Sequence, residues 1–218
     1  MSYNESEGRL AMEAELLRIG LSEEILKTIS YKSGLKMSLR NNLSHFEKSD
    51  LMADIMNCIN FYHESEILDD IDADYRIKSM DSCLRKFEKY YPSRQTERAF
   101  NDILGFRELC DNYEIFLIAE IHEGFRIVDM SKGKAKDDGY RGVHMYYQLD
   151  HHHYPIEIQI NTYYDRQFNN WMHIYFYKKN YSAEIGCQLR NKYECGEIQN
   201  ESQFKEALEY VLSVSKEI

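Results

Sequence analysis

The first third of the chain places apolar residues three or four positions apart, which is the spacing of an amphipathic helix. The clearest example is Met52, Ile55, Met56 and Ile59. Together with the long segments near the C-terminus, this pattern predicts helices at residues 8–28, 35–46, 50–68, 163–180 and 201–215. Ser49 and Asp50 are candidate caps for the third helix, because their side chains can accept hydrogen bonds from its first backbone N–H groups.

Shorter apolar runs lie between these helices and are typical of strands. They predict strands at residues 75–77, 102–107, 125–129, 143–149 and 154–160. Further helices are expected at residues 81–90, which Pro92 ends, and at 111–121. Residues 130–140 form a loop, and residues 150–153 have the length of a hairpin connection. We therefore expect an α/β or α+β domain in which helices flank a mixed β-sheet.

The composition is that of a globular protein. The 218 residues are 43% hydrophobic and 29% charged, and no Gly/Ser-rich linker interrupts them. We expect an N-terminal helical segment at residues 1–70, a core at 71–180 and a C-terminal helical segment at 181–218. No run reaches eighteen apolar residues, the first twenty residues include four glutamates, and the five cysteines contain no CxxC pair. These features predict a cytoplasmic protein with reduced thiols, without a membrane span or a secretory signal.

Negative charge is concentrated in the first third of the chain. The net charge is −10, and residues 1–74, with fifteen acidic and seven basic side chains, contribute −8 of it. Residues 75–98 carry seven basic and three acidic side chains, a local charge of +4. An acidic protein seldom coats nucleic acid, but a local basic segment is typical of a phosphate site. The acidic helices are expected to be a solvated face or to contact protein, either a second copy of the chain or a neutralising protein.

Four polar segments supply the side chains that phosphoryl transfer needs. They contain Arg76, Lys78, Ser82 and Lys86, then Asp102 and Arg107, then the loop at residues 132–144, and last Glu157 and Gln159. The two carboxylates, Asp102 and Glu157, can hold Mg²⁺ while arginine and lysine neutralise the transferred phosphates. One carboxylate can also take the proton from an attacking hydroxyl.

In this order the segments resemble the synthetase domain of the RelA/SpoT family over residues 72–178. The family's R-x-K-x-x-x-S-x-x-x-K corresponds to Arg76, Lys78, Ser82 and Lys86. Its D-I/L-x-A/G-x-R corresponds to Asp102, Gly105 and Arg107. Its K-x-x-G-Y-R-S-x-H corresponds to Lys136, Gly139, Tyr140, Arg141 and His144. Its E-I-Q-I-R-T corresponds to Glu157, Ile158, Gln159, Ile160 and Thr162.

The resemblance implies a nucleotidyltransferase-like fold and a Mg²⁺-dependent transfer of pyrophosphate from ATP to a ribose 3′-hydroxyl. Asp102 and Glu157 would bind Mg²⁺, and Glu157 would also activate the hydroxyl. The groups that bind ATP would be Arg76, Lys78, Ser82 and Lys86 on the phosphates and Arg107 stacked on adenine. The groups that bind the acceptor would be Lys136, Tyr140, Arg141, His144 and Gln159, with the acceptor base stacked on Tyr140.

Departures from the family pattern lie in the acceptor-facing segments. Ala135, Asp138, Gly142 and Asn161 stand where the family has proline, asparagine, serine and arginine. Downstream, Trp171, Met172 and His173 replace the usual spacing of Trp with a Glu-His pair. The donor-side residues are intact, so we expect the donor reaction to be retained and the acceptor to differ.

Residues 100–107, 129–134 and 169–173 are similar to the toxic branch of the small alarmone synthetases. That branch pyrophosphorylates the tRNA 3′ CCA end and blocks translation, which makes tRNA the leading acceptor and the protein a candidate toxin of a toxin–antitoxin system. Synthesis of a (p)ppGpp-type alarmone from GDP or GTP is the alternative, and an inactive nucleotide-binding module is a third. The basic residues expected to hold tRNA are Lys132, Lys134, Arg141, Lys178 and Lys179. For Lys132 and Lys134, simple loop solubility is the competing interpretation.

Overall fold

The computed structural model of the protein describes residues 5–118, 124–179 and 181–214. The chain divides into two compact units, each built from separate stretches of sequence. The first unit contains the described residues up to Glu108 together with those of 114–128 and 144–159. The second unit contains the described residues of 109–113, 129–143 and 160–218.

A five-stranded mixed sheet forms the centre of the first unit, which confirms the predicted fold class. Its strands are β1 at Asp74–Ile77, β2 at Leu104–Cys110, β3 at Phe125–Asp129, β4 at Val143–Tyr147 and β5 at Ile156–Thr162. The spatial order is β1-β2-β5-β4-β3, so β5 is the middle strand. Most residues of every strand belong to the first unit. All five strands lie within two or three residues of the segments predicted for them.

Alternation along β4 and β5 separates an apolar face from a polar one. Met145 and Ile158 are fully buried, as the period of two residues requires for a core-facing position. His144 and Glu157 occupy the intervening positions and therefore point to the opposite face. The sheet thus holds polar side chains on a rigid surface whose other side is the core.

Helices of the first unit lie before and between the strands. They are α1 at Glu5–Arg18, α2 at Glu23–Thr28, α3 at Lys48–His63, α4 at Met80–Tyr90, α5 at Thr96–Ala99 and α6 at Glu114–Ile118. Short 3-10 helices lie at Leu43–His45 and Glu66–Asp70. The predicted helix at 8–28 is interrupted, because Gly20 adopts a left-handed conformation with φ of 78°. The predicted Ser49–Asp50 cap is wrong, since α3 already begins at Lys48 after the N-cap residue Glu47.

The predicted helix at residues 35–46 is also wrong. Within this segment the structure has one 3-10 turn, at Leu43–His45. The Leu39 N–H donates to the His151 carbonyl at 2.8 Å, and the Leu39 carbonyl accepts from the Glu97 N–H at 2.8 Å. These long-range hydrogen bonds satisfy the backbone, so the segment does not need the bonds of a helix.

The second unit is built on helices at its C-terminal end. They are α7 at Tyr163–Tyr175, a 3-10 helix at Tyr177–Lys179, α8 at Ala183–Glu194 and α9 at Glu201–Val214. Phe168, Trp171, Leu189 and Phe204 pack in one apolar cluster, so Trp171 is a core residue. The end of the helix predicted at 163–180 is broken into the 3-10 turn, and residue 180 lies outside the described residues, as do residues 119–121 and 215 of two other predicted helices.

No helix in the described part of the chain is long and apolar enough to cross a membrane. All five cysteines are free thiols.

Candidate active site

Three cationic side chains surround Asp102, which lies just before β2. Lys78 Nζ lies 2.6 Å from Asp102 Oδ2, and Lys86 Nζ lies 2.8 Å from Asp102 Oδ1. Arg76 Nη2 lies 3.7 Å from Asp102 Oδ2. The cations come from β1, the residue that follows it, and one face of α4, which are the positions that the strand–helix prediction gave them. The backbone fixes this arrangement, because the Lys78 N–H donates to the Ile103 carbonyl at 2.8 Å.

The Asp102 carboxylate is buried and ionised. Burial on its own raises the pKa of a carboxyl group, but the charges and hydrogen bonds of Lys86 and Lys78 outweigh it and hold the pKa of Asp102 below its usual value. The Lys78 side chain is itself only 10% exposed. The cluster therefore keeps two ammonium groups at a fixed place beside one charge of opposite sign, and an incoming phosphate chain can compete for both.

Glu157 lies on the middle strand, β5, and is 4% exposed. Its Oε1 accepts a hydrogen bond from Tyr146 Oη at 3.1 Å and lies 3.2 Å from His144 Nδ1. Its Oε2 accepts from Gln159 Nε2 at 2.7 Å. Burial raises the pKa of Glu157, but the hydrogen bond and charge of His144 lower it further than burial raises it, so the carboxylate stays ionised.

The two carboxylates belong to the same unit and to the same region of the sheet. Gly105 pairs with Arg76 across β1 and β2, and a methyl group at Gly105 would lie 3.4 Å from Glu157 Oε2. The negative charge of Asp102 raises the pKa of Glu157, against the larger effect of His144. Glu157 thus lies beside the cationic cluster. Only β2 separates it from β1, and the β2 residue that it contacts, Gly105, has no side chain.

The remaining predicted ATP residues lie near this cluster. Ser82 is in the first turn of α4, where its hydroxyl oxygen lies 3.0 Å from Ser79 Oγ and accepts a hydrogen bond from Arg85 at 3.1 Å. Ser82 and Lys86 are four residues apart and share one helix face. Arg107 lies on β2, two residues beyond Gly105 and therefore on the same face of the sheet.

The predicted acceptor residues Lys136, Tyr140 and Arg141 belong to the second unit. The Arg141 guanidinium is bidentate on Asp137, with contacts of 2.8 and 2.9 Å, and its side chain is 9% exposed. This ion pair orders the loop and, with burial opposing it, lowers the pKa of Asp137. Lys134 Nζ lies 4.9 Å from the centroid of the Tyr140 ring and is paired with Asp138 at 2.8 Å.

Two of the departures from the family pattern touch each other in the second unit. A methyl group at Gly142 would lie 2.5 Å from Asn161 Nδ2, so the amide occupies the space that a side chain at 142 would need. The Asn161 amide donates to the Arg141 carbonyl at 2.9 Å, and the Asn169 amide donates to the same oxygen at 2.7 Å. Glycine at 142 and asparagine at 161 therefore fit each other sterically.

Sequence reasoning missed Tyr146, although it donates a hydrogen bond directly to Glu157. The sequence contained a signal for this residue, because residues 144 and 146 are two positions apart on β4 and therefore lie on the same face of the sheet. Among the described residues, no group of three or more histidine, cysteine, aspartate or glutamate side chains is placed to hold a metal ion. The two carboxylates would have to be completed by substrate oxygens.

A family model described as the region found in RelA / SpoT proteins matches residues 75–182. Residues 75–182 are thus similar to a RelA/SpoT region. Every predicted site residue falls inside it. No curated protein matches the sequence.

Solved structures similar to the chain include two small alarmone synthetases and a GTP pyrophosphokinase family protein. Small alarmone synthetase 2 from Bacillus subtilis is 20% identical over 78% of this chain and 98% of its own, with a TM-score of 0.41. Small alarmone synthetase 1 from Bacillus subtilis, bound to its product pppGpp, is 20% identical over 78% of this chain and 91% of its own, with a TM-score of 0.42. A GTP pyrophosphokinase family protein from Streptococcus pneumoniae is 21% identical over 66% of this chain and 72% of its own, with a TM-score of 0.36.

Proposed function

We propose that the protein is a Mg²⁺-dependent pyrophosphotransferase that moves the pyrophosphate of ATP to the 3′-hydroxyl at the CCA end of tRNA. The observation that carries the proposal is the pair of buried carboxylates in one unit, Asp102 among three cations and Glu157 among hydrogen-bond donors. The first carboxylate organises positive charge for the donor phosphates. The second is held ionised where a hydroxyl can approach it.

The reaction forms one bond and breaks one. The 3′-oxygen of the acceptor attacks the β-phosphorus of ATP, the bond from this phosphorus to the bridging oxygen of the α-phosphate breaks, and AMP leaves. Glu157 accepts the proton of the attacking hydroxyl. Lys78 and Lys86 neutralise the charge that develops on the phosphate oxygens, and Arg76 joins them when the nucleotide is bound.

The chemistry of the donor set fits Mg²⁺, since Asp102 and Glu157 offer the carboxylate oxygens that this ion prefers. These two residues would hold the ion, which when bound neutralises negative charge on the transferred group. Both Asp102 oxygens have ammonium partners within 2.8 Å. An ion on Asp102 would replace one of these contacts and leave that lysine to bind phosphate.

We propose tRNA as the acceptor because of how two positions of the second unit, expected to be basic, are used within the protein. Asn161 stands where the RelA/SpoT pattern has arginine, and its amide is used on the Arg141 carbonyl. The Arg141 guanidinium is used on Asp137. Two positions that would offer positive charge to a nucleotide polyphosphate are thus engaged within the protein, whereas the terminal nucleoside of an RNA carries a single phosphodiester. Tyr140 supplies the stacking surface for its base.

Blocking the tRNA 3′ end prevents aminoacylation, so the proposed activity is that of a translation-inhibiting toxin in the cytoplasm. The acidic N-terminal third is proposed as the surface for an antitoxin or for a second copy of the chain, because its charge disfavours RNA there.

Label transfer from γ-³²P ATP tests the function, with Mg²⁺ and with deacylated tRNA, GDP or GTP offered separately. We expect label on tRNA, since the γ-phosphate travels with the pyrophosphate. Glu157→Gln keeps the size of the side chain but cannot accept the proton, and we expect it to lower transfer by at least about a hundredfold while ATP binding stays within about twofold.

Glu64→Gln is the matched control, because Glu64 is an exposed carboxylate at the end of α3. Label on GDP or GTP alone would rule out tRNA as the acceptor and support alarmone synthesis instead. A folded wild-type protein that labels none of the three acceptors would instead be the inactive module. Full activity of the Glu157 variant would remove this residue from the catalytic step.

A further inference from the structure

A polar cavity of about 400 Å³ lies in the first unit, outside the cluster at Asp102. Its lining includes Arg40, Arg98, Arg126, Glu97, Tyr146 and Gln148. The volume is within the range of small-ligand sites. Three guanidinium groups line this one cavity, although the chain as a whole has a net charge of −10.

Carboxylates that line the cavity already have partners. Glu97 accepts a hydrogen bond from Gln148 Nε2 at 3.2 Å and lies 4.0 Å from Arg40 Nε. Asp150 lies 2.8 Å from His153 Nδ1. Within the described part of the chain, Arg98 and Arg126 have no carboxylate oxygen within 4.0 Å. The cavity therefore holds two guanidinium groups without a carboxylate in direct contact among the described residues, and the charge of Glu97 acts on Arg126 only from further away.

Arg126 is held in position by an aromatic ring. Its guanidinium carbon lies 4.1 Å from the centroid of the Tyr146 ring, in a cation–π contact. Burial lowers the pKa of Arg126, and the charge of Arg98 lowers it further. The two arginines thus repel each other electrostatically, and an anion bound between them would reduce this repulsion. A planar guanidinium fixed on a ring is preorganised to bind phosphate oxygens.

The sheet order sets the cavity beside the catalytic carboxylate, on the side away from the donor cluster. The Asp102 cluster is associated with β1 and β2, Glu157 lies on β5, Tyr146 on β4 and Arg126 on β3. From β5 to β3 is two strand spacings, about 10 Å. Tyr146 spans this interval, because its ring contacts Arg126 while its hydroxyl donates to Glu157.

We infer that this cavity binds a backbone phosphate of the acceptor RNA and so places the terminal 3′-hydroxyl at Glu157. The inference rests on the proposed function and adds to it a binding site that the RelA/SpoT motif residues do not include. Donor phosphates bind on the β1 side of Glu157 and the acceptor phosphate on the β3 side. The acceptor hydroxyl then lies between these two phosphate sites, because positively charged side chains hold a phosphate on each side of it.

Substitutions Arg98→Gln and Arg126→Gln test the inference. Each removes one phosphate contact, and we expect the Kd for deacylated tRNA, measured without ATP so that no transfer occurs, to rise about tenfold. The dependence of log Kd on log salt concentration should fall by about one unit per arginine. The KM for ATP should stay within about twofold, because the donor cluster is untouched.

Controls separate charge, folding and position. Arg94→Gln removes one exposed arginine outside the cavity and should leave the Kd for tRNA unchanged. Arg126→Lys keeps the charge but loses the planar group, and should recover part of the affinity. The thermal midpoints of the Gln variants should stay close to wild type, since each substitution relieves the repulsion between the two arginines and the Arg126 variant also loses the cation–π contact with Tyr146, which acts in the opposite direction.

The outcomes distinguish this inference from the proposed function. If wild type transfers label to tRNA and both Gln variants bind tRNA as wild type does, the cavity is not an acceptor site and the inference is wrong. If the variants raise the KM for GTP instead, while tRNA is not labelled, the cavity serves a nucleotide and the inference is wrong in its substrate. If no acceptor is labelled, the proposed function fails, and the RNA-binding measurements still decide whether the cavity binds RNA.

Discussion

At the scale of single residues, Asp102 is the shared counter-charge of three cationic side chains. It is the carboxylate shared by Lys78, Lys86 and Arg76, and Lys78 is almost fully buried. Removing one partner of a buried ion pair is costly, because the other charge is left without compensation. The same residue is therefore expected to be needed for stability before any substrate is present and, under the proposed function, for phosphate placement afterwards.

We predict that Asp102→Asn lowers the free energy of unfolding by about 3 kcal/mol, because the lysines lose their counter-charge. Inorganic pyrophosphate should raise the melting temperature of this variant more than that of wild type, since the anion takes the place of the missing charge. Urea unfolding with and without pyrophosphate measures both effects. Asp69→Asn, at an exposed aspartate, is the matched control.

The sign of the pH effect follows from the lowered pKa of Asp102. Its contribution to stability is complete at neutral pH and is lost as the pH falls below its usual value of 3.8 and through the folded-state pKa. Wild type should therefore lose part of its stability in that acid range, and Asp102→Asn should show a smaller loss there. An equal acid loss in both proteins would show that Asp102 contributes little.

The convergence of Lys78 and Lys86 was predictable because spacing along β1 and α4 is a local property, whereas their contacts with Asp102 depend on the pairing of β1 with β2. The partnership of Arg126 with Tyr146 was not, since it depends on which strands become neighbours in the sheet. The resemblance to the RelA/SpoT motif assigned Arg141 to the acceptor, and the structure places its guanidinium on Asp137. Its contact with the acceptor stays a prediction, and the ion pair gives it a role in ordering the loop.

At the scale of elements, the loop that carries Tyr140 rests directly on α8. A methyl group at Gly186 would lie 2.2 Å from the Asp138 carbonyl oxygen, and one at Gly139 would lie 2.5 Å from the Gly186 carbonyl oxygen. Both close contacts are to backbone, which cannot move aside as a side chain can. Gly139 also has a φ of 87°, a conformation that favours glycine.

We predict that Gly186→Ala destabilises the protein by about 1–3 kcal/mol, the usual cost of overpacking. Alanine is ordinarily favoured over glycine within a helix by about 0.5–1 kcal/mol, so the expected change has the opposite sign to helix propensity. The KM for tRNA should rise as the loop is displaced, with the KM for ATP unchanged. Thermal unfolding and transfer kinetics measure these effects.

Gly34→Ala is the comparison for Gly186→Ala, because a methyl group there would stay 3.4 Å from its nearest neighbour, an Asp54 oxygen. A Gly186→Ala protein that is as stable and as active as wild type would mean that the loop and α8 are not in close contact in solution.

Element prediction failed where tertiary contacts replace local ones. The helix predicted at 35–46 did not form because its backbone bonds to distant segments. Helix α8 was missed because its pattern is interrupted by Arg190, a buried charge that is paired with Asp165 and Glu194. A charged residue at a buried helical position removes the apolar periodicity from the sequence. The core strands and α4 were predicted because their periodicity is undisturbed.

At the scale of the whole molecule, the question is how a chain of net charge −10 can act on RNA. The charge is uneven, with −8 in residues 1–74 and +4 in residues 75–98. Binding through a few local phosphate contacts requires only a local excess of positive charge. The donor cluster and the arginine cavity provide this excess within one unit, so the acidic N-terminal third need not contact RNA.

That N-terminal third stays the predicted surface for another protein. Leu10 and Leu17 on α1 are 66% and 64% exposed, seven residues apart and therefore on one side of the helix.

The most direct test of the central claim compares two tRNAs that differ in one oxygen. Wild-type protein is incubated with Mg²⁺, γ-³²P ATP and deacylated tRNA ending in adenosine or in 3′-deoxyadenosine, and labelled RNA is measured in each. The account predicts label on the tRNA that has the 3′-hydroxyl and none on the deoxy form. Equal label on both, or label that appears only when GDP or GTP is the acceptor, would contradict it.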